Sequence, residues 1–232
     1  MKLCTESFRR CSVLLLAASL GALSSFAQAN ATDTLAAPTP RESTAAAQKL
    51  IQEGRMAEAL RALDLLAAQK PEPAGVEKLR GTALYQENKL EDAAAAFERA
   101  AAQDPSDIEA AQMQGVTLFR MGRPADAIPL LERSRTQKVS SATGANVDGN
   151  YVLGLCYMDT RRYDDARRAF AAQYGFPPDG AEAYLLSARL LFRREYMPAA
   201  VAAAQKALEL SPKLPLIHEL LGEIALDRKS VV

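Results

Sequence analysis

Tryptophan is absent from this chain, histidine occurs once, and aromatic residues make up only 6% of its 232 positions. Any core must therefore be assembled from small aliphatic layers rather than large ring clusters. Charge of one sign is lacking too: Lys plus Arg and Asp plus Glu both total 28. That balance removes the electrostatic case for a nucleic-acid or acidic-membrane partner. Long apolar runs are missing as well. The longest, Val13 to Leu23, is about half of the roughly 20 residues a membrane-spanning helix needs.

Catalytic raw material is equally scarce. His218 and, past the N-terminal segment, Cys156 cannot make a zinc site by themselves. No glycine-rich phosphate loop and no G-x-S-x-G elbow occurs. The sequence thus predicts a non-enzyme with no catalytic residues, no metal and no cofactor. His218 is expected in the core or on the surface, and Cys156, between Leu155 and Tyr157, is expected to be a buried, inert thiol.

The first residues form a separate unit. Lys2, Arg9 and Arg10 make a basic start, an apolar stretch follows, and Ala27-Gln28-Ala29 is an A-x-A site. That order predicts a signal peptide over residues 1–29, cleaved after Ala29, and hence a periplasmic or secreted protein. Phe8 and Ser12 around Arg9-Arg10 fit the general export route better than a twin-arginine one, and no cysteine sits where a lipoprotein signal needs it. Cleavage removes Cys4 and Cys11, so the mature chain has no internal disulfide. Residues 30–39, rich in Ala, Thr and Pro, read as a flexible leader.

What is abundant is alanine, 45 residues of it, which favours helices and lets them approach closely. From Pro40 onward the chain repeats. Ala47, Gly81, Gly115, Gly154, Ala188 and Gly222 hold equivalent places, separated by 34, 34, 39, 34 and 34 residues. Twelve residues after the first five come Ala59, Ala93, Ala127, Ala166 and Ala200, and four further on Leu63, Phe97, Leu131, Phe170 and Ala204. Each unit reads as a helix, a short polar turn and a second amphipathic helix. A hairpin repeated at this period is expected to stack into a solenoid, each hairpin burying its apolar face on its neighbours. Pro71, Pro105, Pro178 and Pro212 close second helices. Thr39 to Glu42 and Ser106 to Glu109 read as capping boxes, and Pro129 is expected to bend its helix. In "RRYDDARR" the pairs Arg161/Asp165 and Asp164/Arg168 suggest a solvated helix face. The segment Thr136 to Asn150 carries five extra residues and reads as a surface insertion open to protease.

The second unit, with Gly81, Ala93, Phe97, Ala100 and Pro105, resembles the tetratricopeptide repeat family at all five of its motif positions. The resemblance covers Arg41 to about Leu226. It implies an all-α, right-handed superhelical solenoid of antiparallel helix hairpins, about five and a half 34-residue repeats over residues 40–226. The family also implies that first helices line a concave groove for protein or peptide partners. By position, the partner-binding residues expected there are Lys78, Tyr85, Gln112, Phe119, Tyr151, Met158, Arg189 and Phe192. The lysine and asparagine pattern that clamps a chaperone's terminal carboxylate is missing, since Thr44/Gln48 and Lys78/Thr82 stand there.

Leu216 to Leu226 is in register as the first helix of a sixth repeat, with an apolar surface too broad for one neighbour to cover. Asp227 to Val232 matches one reading frame of a common sequencing adapter, so residues 227–232 are expected to be a non-native tail after a repeat broken off midway. Two function classes follow. One is an exported scaffold that serves as adaptor in an envelope, pilus or secretion assembly. The other is the non-catalytic N-terminal array of a longer protein whose enzymatic or anchoring domain lies beyond this chain.

Overall fold

The computed structural model describes residues 40–135 and 149–230. The expected signal peptide and leader, the first capping box at Thr39 and most of the insertion lie outside the described residues.

Eleven helices follow one another among the described residues, with no strand. They are α1 (Pro40–Gln52), α2 (Met56–Ala67), α3 (Val76–Gln86), α4 (Leu90–Gln103), α5 (Ile108–Arg120), α6 (Pro124–Ser134), α7 (Gly149–Asp159), α8 (Tyr163–Tyr174), α9 (Ala181–Arg193), α10 (Met197–Leu210) and α11 (Pro215–Ser230). Each odd-numbered helix up to α9 pairs with the next to form a hairpin, and each hairpin packs on the following one. This is the helical solenoid that the 34-residue period predicts.

Small residues make the hairpins close. Ala47, Ala59, Ala93, Ala127, Ala166, Ala188 and Ala200 are all fully buried. At Gly81, Gly115 and Gly154 the second helix comes closer than any side chain would allow. A Cβ at these sites would stand 2.8 Å from the Phe97 ring, 2.8 Å from Leu131 and 2.4 Å from the Phe170 ring. Those three large side chains, with Leu63, are themselves fully buried. The glycine and the large residue sixteen positions on are one packing unit. Gly222 differs, because a Cβ there would meet nothing within 4 Å.

Each hairpin turn repeats one backbone device. Gly54, Asn88, Gly122, Arg161 and Glu195 all have φ between 61° and 77°. In each turn that residue's N–H donates to the carbonyl three back, and the next N–H donates to the carbonyl five back. Gly122 to Phe119 at 3.0 Å and Arg123 to Leu118 at 2.9 Å are one such pair. This double bond set satisfies carbonyls that a helix end would otherwise leave open. Arg55, Arg123 and Arg162 follow it and pair with Glu58, Asp126 and Asp165, all at i, i+3.

Some local expectations change. Asp107, not Ser106, caps α5: its carboxylate accepts from the Ala110 N–H at 3.0 Å, while Ser106 bonds to Asp104 at 2.5 Å. Arg161 lies in the turn outside α8, so i, i+4 spacing does not apply to it. Asp165 pairs instead with Arg162 at 2.8 Å and Arg168 at 3.5 Å, and Asp164 with Arg167 at 3.4 Å. Arg167 is 4% exposed, so that helix does not present a uniformly solvated face. In α11, Ile217, Leu220 and Ile224 are buried, whereas Leu216 and Leu226 remain exposed.

Candidate functional site

First helices touch across four of the five junctions between hairpins, with no comparable contact between α7 and α9 among the described residues. Helix α1 meets α3, α3 meets α5, α5 meets α7, and α9 meets α11, whereas no comparable contact joins successive second helices among the described residues. Inter-helix spacing is therefore tighter on the first-helix side, which makes that side the inner one. The eight residues expected to face a partner all lie on these first helices, but their side chains divide into three groups.

Two are buried. Met158 has no exposed surface and Gln112 is 8% exposed. The unbranched thioether of Met158 folds into the main hydrophobic cluster rather than out of it. Gln112 lies against Gly149, where an added Cβ would be 3.0 Å from its amide carbon. Met158 therefore offers no surface to an incoming chain, and Gln112 offers little.

Lys78 is already engaged. Its ammonium sits 2.9 Å from Asp107 Oδ2 and 3.1 Å from Glu109 Oε2, tying α3 to the start of α5. Burial alone would lower its pKa, but the hydrogen bond to Asp107 and the charges of Glu109 and Asp107 outweigh it and raise the value. Lys78 fastens the second hairpin to the third.

The remaining five are half-buried. The Arg120 guanidinium lies 4.5 Å above the Tyr85 ring and donates to Asn88 Oδ1 at 2.7 Å. Arg194 stands 5.9 Å from the Phe119 ring and is held by Asp159, which also accepts from the Tyr196 hydroxyl at 3.2 Å. Tyr151 packs on Phe170 with ring centroids 5.7 Å apart. Phe192 rests on the main cluster. Arg189, flanked along α9 by Leu185, Leu186 and Phe192, has no hydrogen bond or ion pair among the described residues. Half-exposed rings roofed by arginines, beside an unmatched cation, can hold apolar side chains and accept an acidic one.

The described residues contain no cluster of metal-ligating side chains, and no described helix is long and apolar enough to cross a membrane. His218 is exposed, with Nε2 2.9 Å from the Pro212 carbonyl oxygen. Cys156 is fully buried as expected, and burial pushes its thiol up to about 12.

The tetratricopeptide repeat family matches residues 44–108 and 151–215, more than half of the chain. The chain belongs to the tetratricopeptide repeat family. Residues 86–173 also match anaphase-promoting complex, cyclosome, subunit 3. No curated protein matches the chain in sequence. Among solved structures, YrrB, described as a TPR protein with an unusual peptide-binding site, is similar at TM-score 0.55 and 20% identity, over 77% of this chain and 89% of that one. MamA from Desulfovibrio magneticus RS-1 gives TM-score 0.55 and 20% identity over 75% and 95%. A further MamA structure gives 0.52 and 23% over 72% and 95%. At these identities the likeness shows the shared solenoid. Tetratricopeptide repeat proteins are interaction scaffolds for protein or peptide partners, and this chain has their architecture.

Two charged positions escaped the sequence reading. Glu77 is 3% exposed and bridges Arg99 at 2.7 Å and Arg80 at 3.3 Å, while Arg80 reaches Asp64 at 2.8 Å, stitching the first two hairpins together. Arg167 is the other. A signal for it existed: the tetratricopeptide register aligns it with Leu60, Ala94, Ile128 and Val201, an otherwise apolar column.

Proposed function

We propose that this protein is an exported tetratricopeptide scaffold that holds an extended or helical segment of a protein partner along its inner face, as an adaptor in an envelope, pilus or secretion assembly. The observation that carries the binding mode is the set of half-exposed rings on first helices, Tyr85 on α3, Phe119 on α5 and Phe192 on α9, with Arg189 one turn from Phe192. Apolar side chains of the partner would seat on the rings, and a carboxylate would satisfy Arg189. Export rests on the basic start, apolar stretch and A-x-A site of residues 1–29.

Site-specific photo-crosslinking tests the groove. A benzophenone amino acid at Phe119 or Phe192 is expected to give discrete adducts in the producing cell, and the same group at Leu65, 75% exposed on α2, is expected to give none. Equal adducts at all three positions, or adducts from Leu65 alone, would place the interaction elsewhere. N-terminal sequencing of the mature protein tests export, with Asn30 the expected first residue.

A further inference from the structure

A second cleft lies away from the inner face, lined by α8, α9 and α10. It encloses about 200 Å³, with Tyr163, Arg167, Tyr184, Ser187, Ala202 and Ala203 among its walls. Its existence follows from composition. Helix α10 brings alanines to the wall, and α8 contributes Arg167 in a column filled elsewhere by Leu60, Ile128 and Val201.

Arg167 uses one edge of its guanidinium fully. Nη1 donates to the Pro178 carbonyl oxygen and to Asp179 Oδ1, the latter at 2.8 Å. The guanidinium carbon lies over the Tyr184 ring, 4.3 Å from its centroid. The other edge is nearly idle. Nη2 has one long contact, 3.4 Å to Asp164, whose side chain is 79% exposed, and the buried Nε has no partner. Ser187 Oγ, on the same cleft, is also buried without a partner. Arg167 and Ser187 are 4% and 3% exposed, so these unmatched donors cannot turn to bulk water. Leaving buried donors unmatched costs stability, and the Nε/Nη2 edge is the fork that binds a carboxylate through two parallel hydrogen bonds.

We propose that this cleft binds a small carboxylic acid with an apolar body, its carboxylate accepting from Nε and Nη2 of Arg167 and from the Ser187 hydroxyl. The body would lie against Ala202, Ala203 and the tyrosine rings. Asp164 and Asp179 balance the arginine when the cleft is free. Both are largely exposed, so water screens their repulsion of a second anion, and Asp164 can swing outward.

Nuclear magnetic resonance titration of the full chain tests this with 3-phenylpropionate, its primary amide, and acetate as probes. The carboxylate is expected to give saturable shifts at the Tyr184, Ser187 and Ala202 amides, and the primary amide and acetate to bind at least about tenfold more weakly. Arg167→Leu is expected to abolish binding while helicity is kept, because leucine occupies the same column at Leu60. Ala203→Leu should abolish it by filling the cleft with Arg167 in place, which keeps the test intact if Arg167→Leu fails to fold. Asp164→Asn should tighten it. No saturable shift, equal binding of the amide, or binding that survives Arg167→Leu overturns the proposal.

Discussion

The fourth and fifth hairpins occupy neighbouring places in one solenoid and are packed on opposite plans. In the fourth, glycine meets a ring: Gly154 leaves room for Phe170, which is fully buried and touches Tyr151 as well. In the fifth, the equivalent pair is Ala188 and Ala204, both fully buried. The first plan spends all the space between helices on one large side chain. The second packs two small ones, and the alanine-rich α10 that goes with it walls an open cleft. One backbone design is thus met either by filling volume or by shortening side chains. The second leaves room for polar chemistry.

The largest effect expected on this contrast is from Phe170→Ala, which should cost about 3–5 kcal/mol in chemical denaturation because the ring leaves a cavity in a fully packed layer. A loss below about 1 kcal/mol would show that the fourth hairpin is no tighter than the fifth.

Adding a methyl next tests the close approach in the fourth hairpin against an open glycine in α11. Gly154→Ala puts a Cβ 2.4 Å from the Phe170 ring and should destabilise by about 1–3 kcal/mol. Gly222→Ala, with nothing within 4 Å, should stabilise by about 0.5–1 kcal/mol, since alanine is the better helix former. Equal effects at the two glycines would remove the close-approach argument.

Alkali should also tell the hairpins apart. The fourth buries Cys156, whose thiol is pushed up to about 12, and Tyr157, whose hydroxyl is pushed up to about 12 by burial and its bond to Glu132. In the fifth, Leu190 and Leu191 stand at those places. Both pKa values are raised on folding, so the stability they contribute is whole below the unfolded values, 9.0 and 10.0. It falls as pH rises toward 12, by about 1.4 kcal/mol per pH unit for each group. Cys156→Ala should flatten the decline in the melting temperature that begins near pH 9, and an unchanged slope would argue against a buried neutral thiol.

The smallest effect is expected in the turns. Arg161 and Glu195 hold the left-handed conformation with φ of 61° and 63°. Arg161→Gly and Glu195→Gly should each stabilise by about 0.5–1 kcal/mol, by relief of the Cβ clash. Thermal unfolding that moves in the opposite direction would mean these side chains contribute more than their backbones cost.

The helices, their pairing and the buried alanine column were legible from periodicity, because one residue class recurs wherever the same contact recurs. The turn device was less legible. Gly54 and Gly122 announce a positive φ, but Arg161 and Glu195 do not, and there the tertiary pairing of two helices imposes it. The cap at Asp107 was misplaced by one residue because Ser106, also a capping type, sits beside it. Register assigned the expected partner column to first helices, yet register could not say that Met158 is buried while Phe119 stays half-exposed.

Repetition alone determined the architecture: a 34-residue period of small and large residues has one economical way to bury its apolar faces, hairpin upon hairpin. Exposure was decided by the fold, because each side chain's access to solvent depends on neighbours from adjacent hairpins. Arg167 is the clearest case. Its sequence neighbours Asp164 and Arg168 suggest a charged surface. Packing over Tyr184 and contact with the Pro178–Asp179 turn bury it instead, with its Nε unmatched beside a cleft.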